Sequence, residues 1–279
     1  MYKDLLLVDT RAKADAAALA VSVALAEYAA ARLTVLVVSE APRPMASEWG
    51  SYPASLYTGI GEEVRAQAQE RAASLRKRLE RETVSWEVRL ADAVMLPAPR
   101  TAAMHARHVD LAIVAGSGKD EFRGPIEGVF VDLLMDAGRP VLLVRDGATL
   151  ELPLAHAVVA WQPTSQAARA VHDALPLLRA AKTVDVLVID PEVGESAHGE
   201  QPGADIAAHL ARHGLEVRVL VKPAAGRTAG GAILAHAAES GAGLLVVGGY
   251  SRSRFRQQIL GGVTRELLES ARVPVLFSH

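Results

Sequence analysis

The sequence has 279 residues, which is long for one domain of the usual ~100–150 residues and comfortable for two. Half of the residues are hydrophobic and only 4% are aromatic, a balance that favours helices packed closely on sheets over a sandwich with a large aromatic core. Lysine and arginine total 30 against 32 acidic residues, so no bulk charge directs the chain to nucleic acid or to a membrane surface.

The chain contains no cysteine, which excludes disulfides, thiolate metal sites and thiol catalysis. Residues 1–4 lead directly into an apolar strand pattern without a basic leader, and no apolar run approaches the ~20 residues of a membrane span. We therefore expect a cytoplasmic protein.

Short apolar runs alternate with helical patterns through the first half of the chain. Continuous apolar strands separated by helices indicate a parallel sheet covered on both faces. A long loop, Ser39–Gly61, interrupts the pattern. In chain order the predicted elements are the strand Leu5–Val8, the helix Ala14–Arg32, the strand Leu33–Val38, the helix Glu62–Glu82, the strand Ser85–Leu90, the helix Thr101–His108, the strand Leu111–Ala115, the helix Val129–Ala137 and the strand Pro140–Val144.

The same order repeats after a polar linker at Arg145–Pro153 that ends in proline. The repeat predicts two units, residues 1–147 and 154–279, each a doubly wound, five-stranded parallel sheet of the Rossmann-like type in an α/β protein. The predicted elements are the strand Ala157–Trp161, the helix Ser165–Ala181, the strand Asp185–Ile189, the helix Ala204–His213, the strand Glu216–Val221, the helix Thr228–Ser240, the strand Leu244–Val247, the helix Val263–Ala271 and the strand Val273–Phe277.

Glycines surround the last helix of the second unit. A short apolar strand runs into Gly248 and Gly249, a basic loop follows, and Gly261 and Gly262 open the helix. Backbone amides at a helix N-terminus that is reached through glycines form a site for phosphate. A degraded copy of this stretch lies in the first unit.

These glycines, together with Val158–Thr164, resemble the universal stress protein family, with two such domains in one chain. The family's nucleotide-binding pattern of glycines falls on Gly248, Ser251, Gly261 and Gly262. Ser251 stands where the pattern has glycine, and Gly262 lacks the family's hydroxyl. The resemblance implies the adenine nucleotide alpha hydrolase-like fold and a stress-response role exerted through binding and regulation.

The resemblance also implies an adenine-nucleotide pocket in the second unit, for AMP, ADP or ATP, with Mg²⁺ bridging the phosphates. Gln162 stands at the position of the family's adenine-contacting acid, and an amide oxygen accepts from an exocyclic amine without charge. The residues assigned to the nucleotide are Trp161, Gln162, Pro163, Val188, Gly248, Gly249, Ser251, Arg252, Gly261, Gly262, Val263 and Thr264. No residue is placed to activate water, so we predict slow hydrolysis at most and no catalytic residues.

The first unit has the opposite pattern of losses. It keeps the acid as Asp9, but Glu127 stands where the second unit has Gly261. A carboxylate beside the phosphate position repels the ligand, so we expect no triphosphate there.

A nucleotide-free interaction protein is the alternative. In it the two sheets pair through their last strands, Val141–Val144 and Val275–Phe277, and an unidentified protein partner meets the surface. The aromatic residues Trp49, Tyr52 and Tyr57 of the long loop mark either such a partner site or a cluster that covers the sheet edge. A homodimer stays open in both hypotheses.

Two histidines suggest a third class of function, a metal-dependent hydrolase. His209 and His213 lie four residues apart on one helix face, a spacing that binds zinc in some proteins. Histidines near a helix C-terminus are also favoured by the helix dipole, and no further ligand lies nearby in the sequence. We therefore predict no metal site there.

Overall fold

The computed structural model describes residues 1–40, 54–93, 96–116, 125–191, 201–249 and 261–279 of the chain. Strands and helices alternate throughout these residues. The strands are β1 (Asp4–Asp9), β2 (Arg32–Ser39), β3 (Ser85–Asp92), β4 (Leu111–Gly116), β5 (Val141–Arg145), β6 (His156–Ala160), β7 (Thr183–Ile189), β8 (Val217–Lys222), β9 (Leu244–Gly248) and β10 (Val275–Ser278). The helices are α1 (Asp15–Ala29), α2 (Ala54–Leu79), α3 (Ala98–Ala106), α4 (Pro125–Asp136), α5 (Ser165–Leu178), α6 (Ala204–Arg212), α7 (Ala229–Glu239) and α8 (Gly262–Ser270).

Threonine hydroxyl groups cap the N-termini of two helices, α5 and α7. Thr164 precedes α5 in extended conformation, and its side chain accepts a hydrogen bond from the Ala167 amide at 3.2 Å. Thr228 does the same for α7 by accepting from the Gly231 amide at 3.0 Å. Each cap satisfies an amide that the helix itself leaves without a partner, so both helices have fixed starting points.

All ten strands form one sheet in the order β3-β2-β1-β4-β5-β10-β9-β6-β7-β8. Each half of the chain contributes five neighbouring strands with the same internal order, and every pair within a half is parallel. The halves meet where β5 and β10 pair antiparallel, with Val141 opposite Phe277 and Leu143 opposite Val275. The predicted pairing of the last strands is confirmed, and it occurs within one chain.

Helices cover both faces of this sheet, and apolar side chains fill the space beneath them. Residues of α1, α2, α5 and α6 pack into one cluster, and residues of α3, α4, α7 and α8 pack into the other. Both clusters extend across the β5–β10 junction. In the second cluster Phe130 of α4 meets Phe277 of β10 edge to face, with ring centroids 5.2 Å apart. The two halves therefore share one continuous core on each face.

The predicted α/β fold is confirmed, and every predicted strand and helix corresponds to an observed one. The largest difference is at α2, which begins at Ala54 instead of Glu62. The extra turns contain Thr58, Gly59 and Gly61, residues of low helix propensity, so the sequence pattern favoured a loop. Tyr57 thus belongs to a helix, whereas Trp49 and Tyr52 lie outside the described residues. Within the described part of the chain, no helix is both long enough and apolar enough to cross a membrane.

Candidate functional site

A cavity of about 280 Å³ lies at the carboxyl ends of the second half's central strands. In this half the chain moves from β6 outward to β7 and β8, but from β9 inward to β10, so the strand order reverses between β6 and β9. Open α/β sheets bind their ligands at such a reversal. The described residues that line the cavity are Ala160, Trp161, Gln162, Thr164, Ala167, Leu187, Ile189, Ala229, Ile233, Val247, Gly248, Gly261, Gly262, Val263 and Thr264.

The start of α8 forms one side of this cavity. Gly261 precedes the helix and supplies no side-chain cap, and the first helical hydrogen bond runs from the Arg265 amide to the Gly261 carbonyl. The amides of Gly262, Val263 and Thr264 therefore precede the first internal bond of the helix. Among the described residues, a methyl group at Gly261 or Gly262 would meet no atom within 4 Å, so these glycines place no side chain beside the amides. An anion fits at such a helix start because the dipole and the free N–H groups both favour negative charge.

Packing alone explains the glycine at the end of β9. A Cβ atom on Gly248 would lie 2.5 Å from the Ala167 nitrogen and 2.8 Å from its Cα, both backbone atoms of α5. No side chain fits at that distance, so Gly248 is needed for the strand end to approach the start of α5. Gly248 also lines the cavity, which puts two helix starts, those of α5 and α8, at its edge.

Gly249 faces the first half of the chain instead of the cavity. It is buried, its amide donates to the Ser278 carbonyl at 2.8 Å, and a Cβ atom there would lie 2.8 Å from Leu134 Cδ2 on α4. The absence of a side chain at Gly249 therefore allows the two halves to pack closely at this point. Gly249 does not line the cavity.

The apolar wall of the cavity comes from the other face of β7 than the sequence suggested. Leu187 and Ile189 line the cavity, whereas Val188 between them is fully buried in the α1/α2/α5/α6 core. Side chains alternate between the two faces of a strand, so a run of consecutive apolar residues does not reveal which ones face a ligand. Of the other base-side predictions, Trp161 and Gln162 line the cavity, and Pro163 is exposed beside it without lining it.

Ser251 and Arg252 lie outside the described residues, so their assignment to a nucleotide stays a prediction. Seven of the twelve predicted residues are brought together around the cavity: Trp161, Gln162, Gly248, Gly261, Gly262, Val263 and Thr264. Sequence reasoning missed Thr164 and Ala167 of α5 and Ala229 and Ile233 of α7. The helix caps Thr164 and Thr228 are the one sequence signal that could have placed these helix starts at the edge of the sheet.

The strand register identifies the first-half counterpart of Trp161. Leu5 of β1 lies opposite Leu111, and Ala157 of β6 lies opposite Leu244. Leu111 and Leu244 correspond because Asp110–Ala115 in the first half matches Gly243–Gly248 in the second. Counting along both strands makes Asp9 equivalent to Trp161, one residue before Gln162. The residue at the end of the first strand is thus acidic in one half and aromatic in the other.

Asp9 is already engaged by an ion pair. Its side chain is 2% exposed, and the Arg71 guanidinium of α2 donates to it from Nη2 at 2.7 Å and from Nε at 3.1 Å. Asp15 at the start of α1 lies beside this pair, and burial together with the charge of Asp9 raises the pKa of Asp15 to about 6. Oδ2 of Asp15 is buried and has no hydrogen-bond partner. The carboxyl edge of the first half is therefore occupied by the protein's own charges.

His209 and His213 do not assemble a metal centre. Their rings meet edge to face with centroids 4.7 Å apart, and His213 Nδ1 lies 3.0 Å from Arg179 Nη2, a cation that disfavours a metal ion. Among the residues that the structure describes, no group of three or more histidine or carboxylate side chains is arranged to hold a metal.

Comparison with protein families matches residues 153–279 to the universal stress protein family. The match is confined to the second half of the chain. No curated protein matches the sequence.

Solved structures match over nearly the whole chain. A universal stress protein from Archaeoglobus fulgidus DSM 4304 is 17% identical with a TM-score of 0.72, over 99% of this chain and 96% of that one. A putative universal stress protein from Pseudomonas aeruginosa UCBPP-PA14 is 16% identical with a TM-score of 0.57, over 99% of this chain and 93% of that one. A functionally unknown protein from Pseudomonas aeruginosa PAO1 is 16% identical with a TM-score of 0.58, over 99% and 92%. At these identities the likeness concerns the fold.

Proposed function

We propose that the chain is a tandem universal stress protein, with domains at residues 1–147 and 154–279, whose second domain binds one adenine nucleotide. The observation that carries the proposal is the cavity at the strand-order reversal, which opens onto the start of α8, where Gly261 supplies no side-chain cap. Its role is a stress response in the cytoplasm exerted by binding, without a nucleic acid or a membrane as partner.

The cavity has room for the base and ribose of a nucleotide. Its volume of about 280 Å³ lies just below the ~300–1,000 Å³ typical of small-molecule sites. Leu187, Ile189 and Ile233 give it an apolar wall, and Trp161 offers a ring on which a base stacks. The amide of Gln162 is the polar group that contacts the base edge.

The phosphates belong at the start of α8. There the amides of Gly262, Val263 and Thr264 donate to phosphate oxygens, and the absent side chains at Gly261 and Gly262 allow close approach. No carboxylate occurs among the described lining residues, so Mg²⁺ would be held by the phosphates of the nucleotide.

Binding without rapid turnover fits the same set of groups. General-base catalysis of hydrolysis needs a side chain such as His, Asp or Glu within hydrogen-bond reach of the attacking water. The described lining residues include none of these. We therefore propose that the nucleotide acts as a bound regulator and that ATP is hydrolysed slowly at most.

The first domain is proposed to bind no nucleotide. Glu127 lies in the first turn of α4, the counterpart of α8, where its charge opposes a phosphate. The ion pair of Asp9 with Arg71 occupies the carboxyl end of the central strand. The charge of Glu127 acts against an anionic ligand in that half, and the ion pair engages the Asp9 carboxylate that would otherwise contact a base.

Gly261→Glu tests the proposal, with Glu127→Gln as the matched control in the other half. The protein is purified gently without added nucleotide and denatured, and the released small molecules are separated by chromatography. We expect about one AMP, ADP or ATP per chain from the natural protein and from Glu127→Gln, and none from Gly261→Glu. Equal nucleotide content in all three would remove the assigned site.

A nucleotide-free interaction protein remains the second candidate. It is favoured by Gly248, whose glycine is explained by the approach of α5 whether or not a ligand binds. An empty natural protein that also gives no heat with millimolar Mg-ATP would favour this candidate, with an unidentified protein as the partner.

A further inference from the structure

A cluster of buried ionisable side chains lies beneath the cavity. Asp185, the third residue of β7, has a side chain that is 1% exposed. Nε2 of His156 on β6 and Nε2 of His236 on α7 both lie 3.0 Å from its Oδ2. Arg218 of β8 donates from Nε to its Oδ1 at 2.8 Å. One carboxylate thereby joins three neighbouring strands and a helix.

The partners of the two rings fix their proton positions. A carboxylate only accepts hydrogen bonds, so both Nε2 atoms donate to Asp185 and a neutral ring must accept at Nδ1. His156 Nδ1 lies 2.7 Å from Thr183 Oγ1, and His236 Nδ1 lies 3.0 Å from Lys222 Nζ. Both contacts supply a donor, so the cluster is fully hydrogen-bonded with both histidines neutral.

Adding a proton affects the two rings differently. A hydroxyl both donates and accepts, so Thr183 can turn to accept from a protonated His156. The Lys222 ammonium has no acceptor and carries like charge, so it cannot stay against a protonated His236. The carboxylate of Glu239 lies 3.8 Å from Lys222 Nζ and is the nearest alternative partner for it. Protonation of His236 therefore displaces Lys222.

The cluster and the cavity share the same two elements. Leu187 and Ile189 follow Asp185 at two and four residues along β7 and so lie on its face of the sheet. Ala229 and Ile233 of α7 line the cavity, and His236 lies on the next turn of that helix. Contacts at His236 thus hold the helix that forms one cavity wall against the strand that forms another.

The ionised form of Asp185 is favoured in this environment. Burial by itself would raise the pKa of Asp185, but the hydrogen bonds from Arg218 and His236, with the charge of Arg218, lower it below its ordinary value. The carboxylate therefore stays an acceptor for both rings.

The first half shows that the fold does not require this cluster. Register makes Thr34 of β2 equivalent to Asp185, because Leu33 lies opposite Leu5 and Val184 lies opposite Ala157. The sequence repeat likewise makes Ala103 of α3 equivalent to His236. The same architecture is thus built without a charge or an imidazole at these two positions.

We propose that Asp185, His156 and His236 are positioning residues for the cavity, and that protonation of His236 weakens ligand binding there. The inference rests on the proposed function. The described titratable and charged groups around His236 are Asp185 on β7, His156 on β6, Lys222 on β8, Glu239 on its own helix, and Arg227, which lines a second cavity together with His236, Lys222 and Glu239. Of these, Lys222 opposes its protonation, and its displacement breaks the contact between α7 and β8.

Two substitutions separate the effect of protonating His236 from the effect of its packing. His236→Gln keeps an N–H donor for Asp185 but does not titrate, and Lys222→Met keeps the ring but removes the opposing ammonium. Mg-ATP affinity is measured by calorimetry at pH ~7.5 and pH ~5.5. For the natural protein we expect about a tenfold loss of affinity at the lower pH relative to either variant. Comparison at equal pH cancels protonation of the ATP itself.

His108→Gln is the control, because it removes an exposed imidazole of the first half. It should keep the pH dependence of the natural protein. A pH dependence that persists unchanged in both His236→Gln and Lys222→Met would overturn the inference and leave nucleotide binding standing.

Hydrogen exchange separates failure of the inference from failure of the proposed function. Protection factors of the amides in α7 are measured on ligand-free protein at the same two pH values, with α3 as the internal reference. We expect protection of α7 to fall about tenfold at the lower pH in the natural protein and to stay constant in Lys222→Met. If no nucleotide binds at any pH, this measurement still decides the inference. Constant protection in the natural protein contradicts it.

Discussion

The two halves of the sheet have the same strand order, but their buried charges lie at different positions along the strands. In the first half, Asp9 ends β1 and pairs with Arg71 at the carboxyl edge. In the second half, Asp185 lies near the beginning of β7, and the carboxyl edge carries the cavity. Ligands of open α/β sheets bind at that edge, where the first half carries an ion pair and the second half carries a cavity beside an open helix start. A shared fold thus leaves the location of charge, and with it function, to a few side chains.

The largest expected effect on stability is at the buried carboxylate of the second half. Asp185→Ala leaves two buried Nε2 donors without an acceptor, so we expect it to lower the free energy of unfolding by about 3 kcal/mol. Thr34→Ala, at the equivalent position of the first half, should cost about 1 kcal/mol. Urea denaturation of both variants gives the comparison, and equal losses would contradict the difference between the halves.

A smaller effect is expected where β9 meets α5. The first half has Ala115 at the position of Gly248, yet a methyl group on Gly248 would collide with the backbone of Ala167. We expect Gly248→Ala to lower the free energy of unfolding by about 2 kcal/mol, and Mg-ATP affinity with it. The control is Gly262→Ala, whose methyl group meets nothing within 4 Å, so its stability should stay within about 1 kcal/mol of the natural protein. Thermal or urea denaturation that ranks the two variants in the reverse order would contradict the packing role of Gly248.

The smallest effect belongs to the first half and depends on pH. The native state raises the pKa of Asp15 to about 6, whereas the unfolded chain has an ordinary value near 3.9. Ionisation of Asp15 therefore costs native stability at pH values above about 6, and the cost declines as the pH falls from about 6 towards the unfolded value near 3.9. Asp15→Asn should raise the free energy of unfolding by about 1 kcal/mol at pH ~7 and by little at pH ~4.5. A gain that is independent of pH would show that the ionisation of Asp15 is not its source.

Local sequence patterns predicted most of the fold. Apolar strand runs, helix periodicity and the repeated order of elements place all the strands and helices, and the repeat of Gly138–Val144 at Arg272–Ser278 marks the two strands that pair at the junction. The start of α2 was missed because its first turns contain glycines and a threonine, and there the rest of the helix overrides local propensity.

The site was predictable only where backbone requirements leave a mark on the sequence. Glycines at 248, 261 and 262 mark a close approach and an open helix start, and all of them line the cavity. The sequence could not show whether Val188 or its neighbours Leu187 and Ile189 face the cavity, because a strand buried on both faces has no alternation of polar and apolar residues. His209 and His213 lie at helical spacing, so the sequence pattern suggested a metal site there. His156 and His236 come from distant segments and meet at Asp185 only in the folded chain, so no sequence spacing relates them.

Calorimetric titration of the purified, nucleotide-stripped chain with Mg-ATP tests most directly whether only the second half binds a nucleotide. We expect one ATP per chain, with Gly261→Glu abolishing the heat and Glu127→Gln leaving it unchanged. Two ATP per chain would show that the Asp9–Arg71 pair and Glu127 do not close the first half. No binding to the natural protein would show that the cavity of the second half is not a nucleotide site.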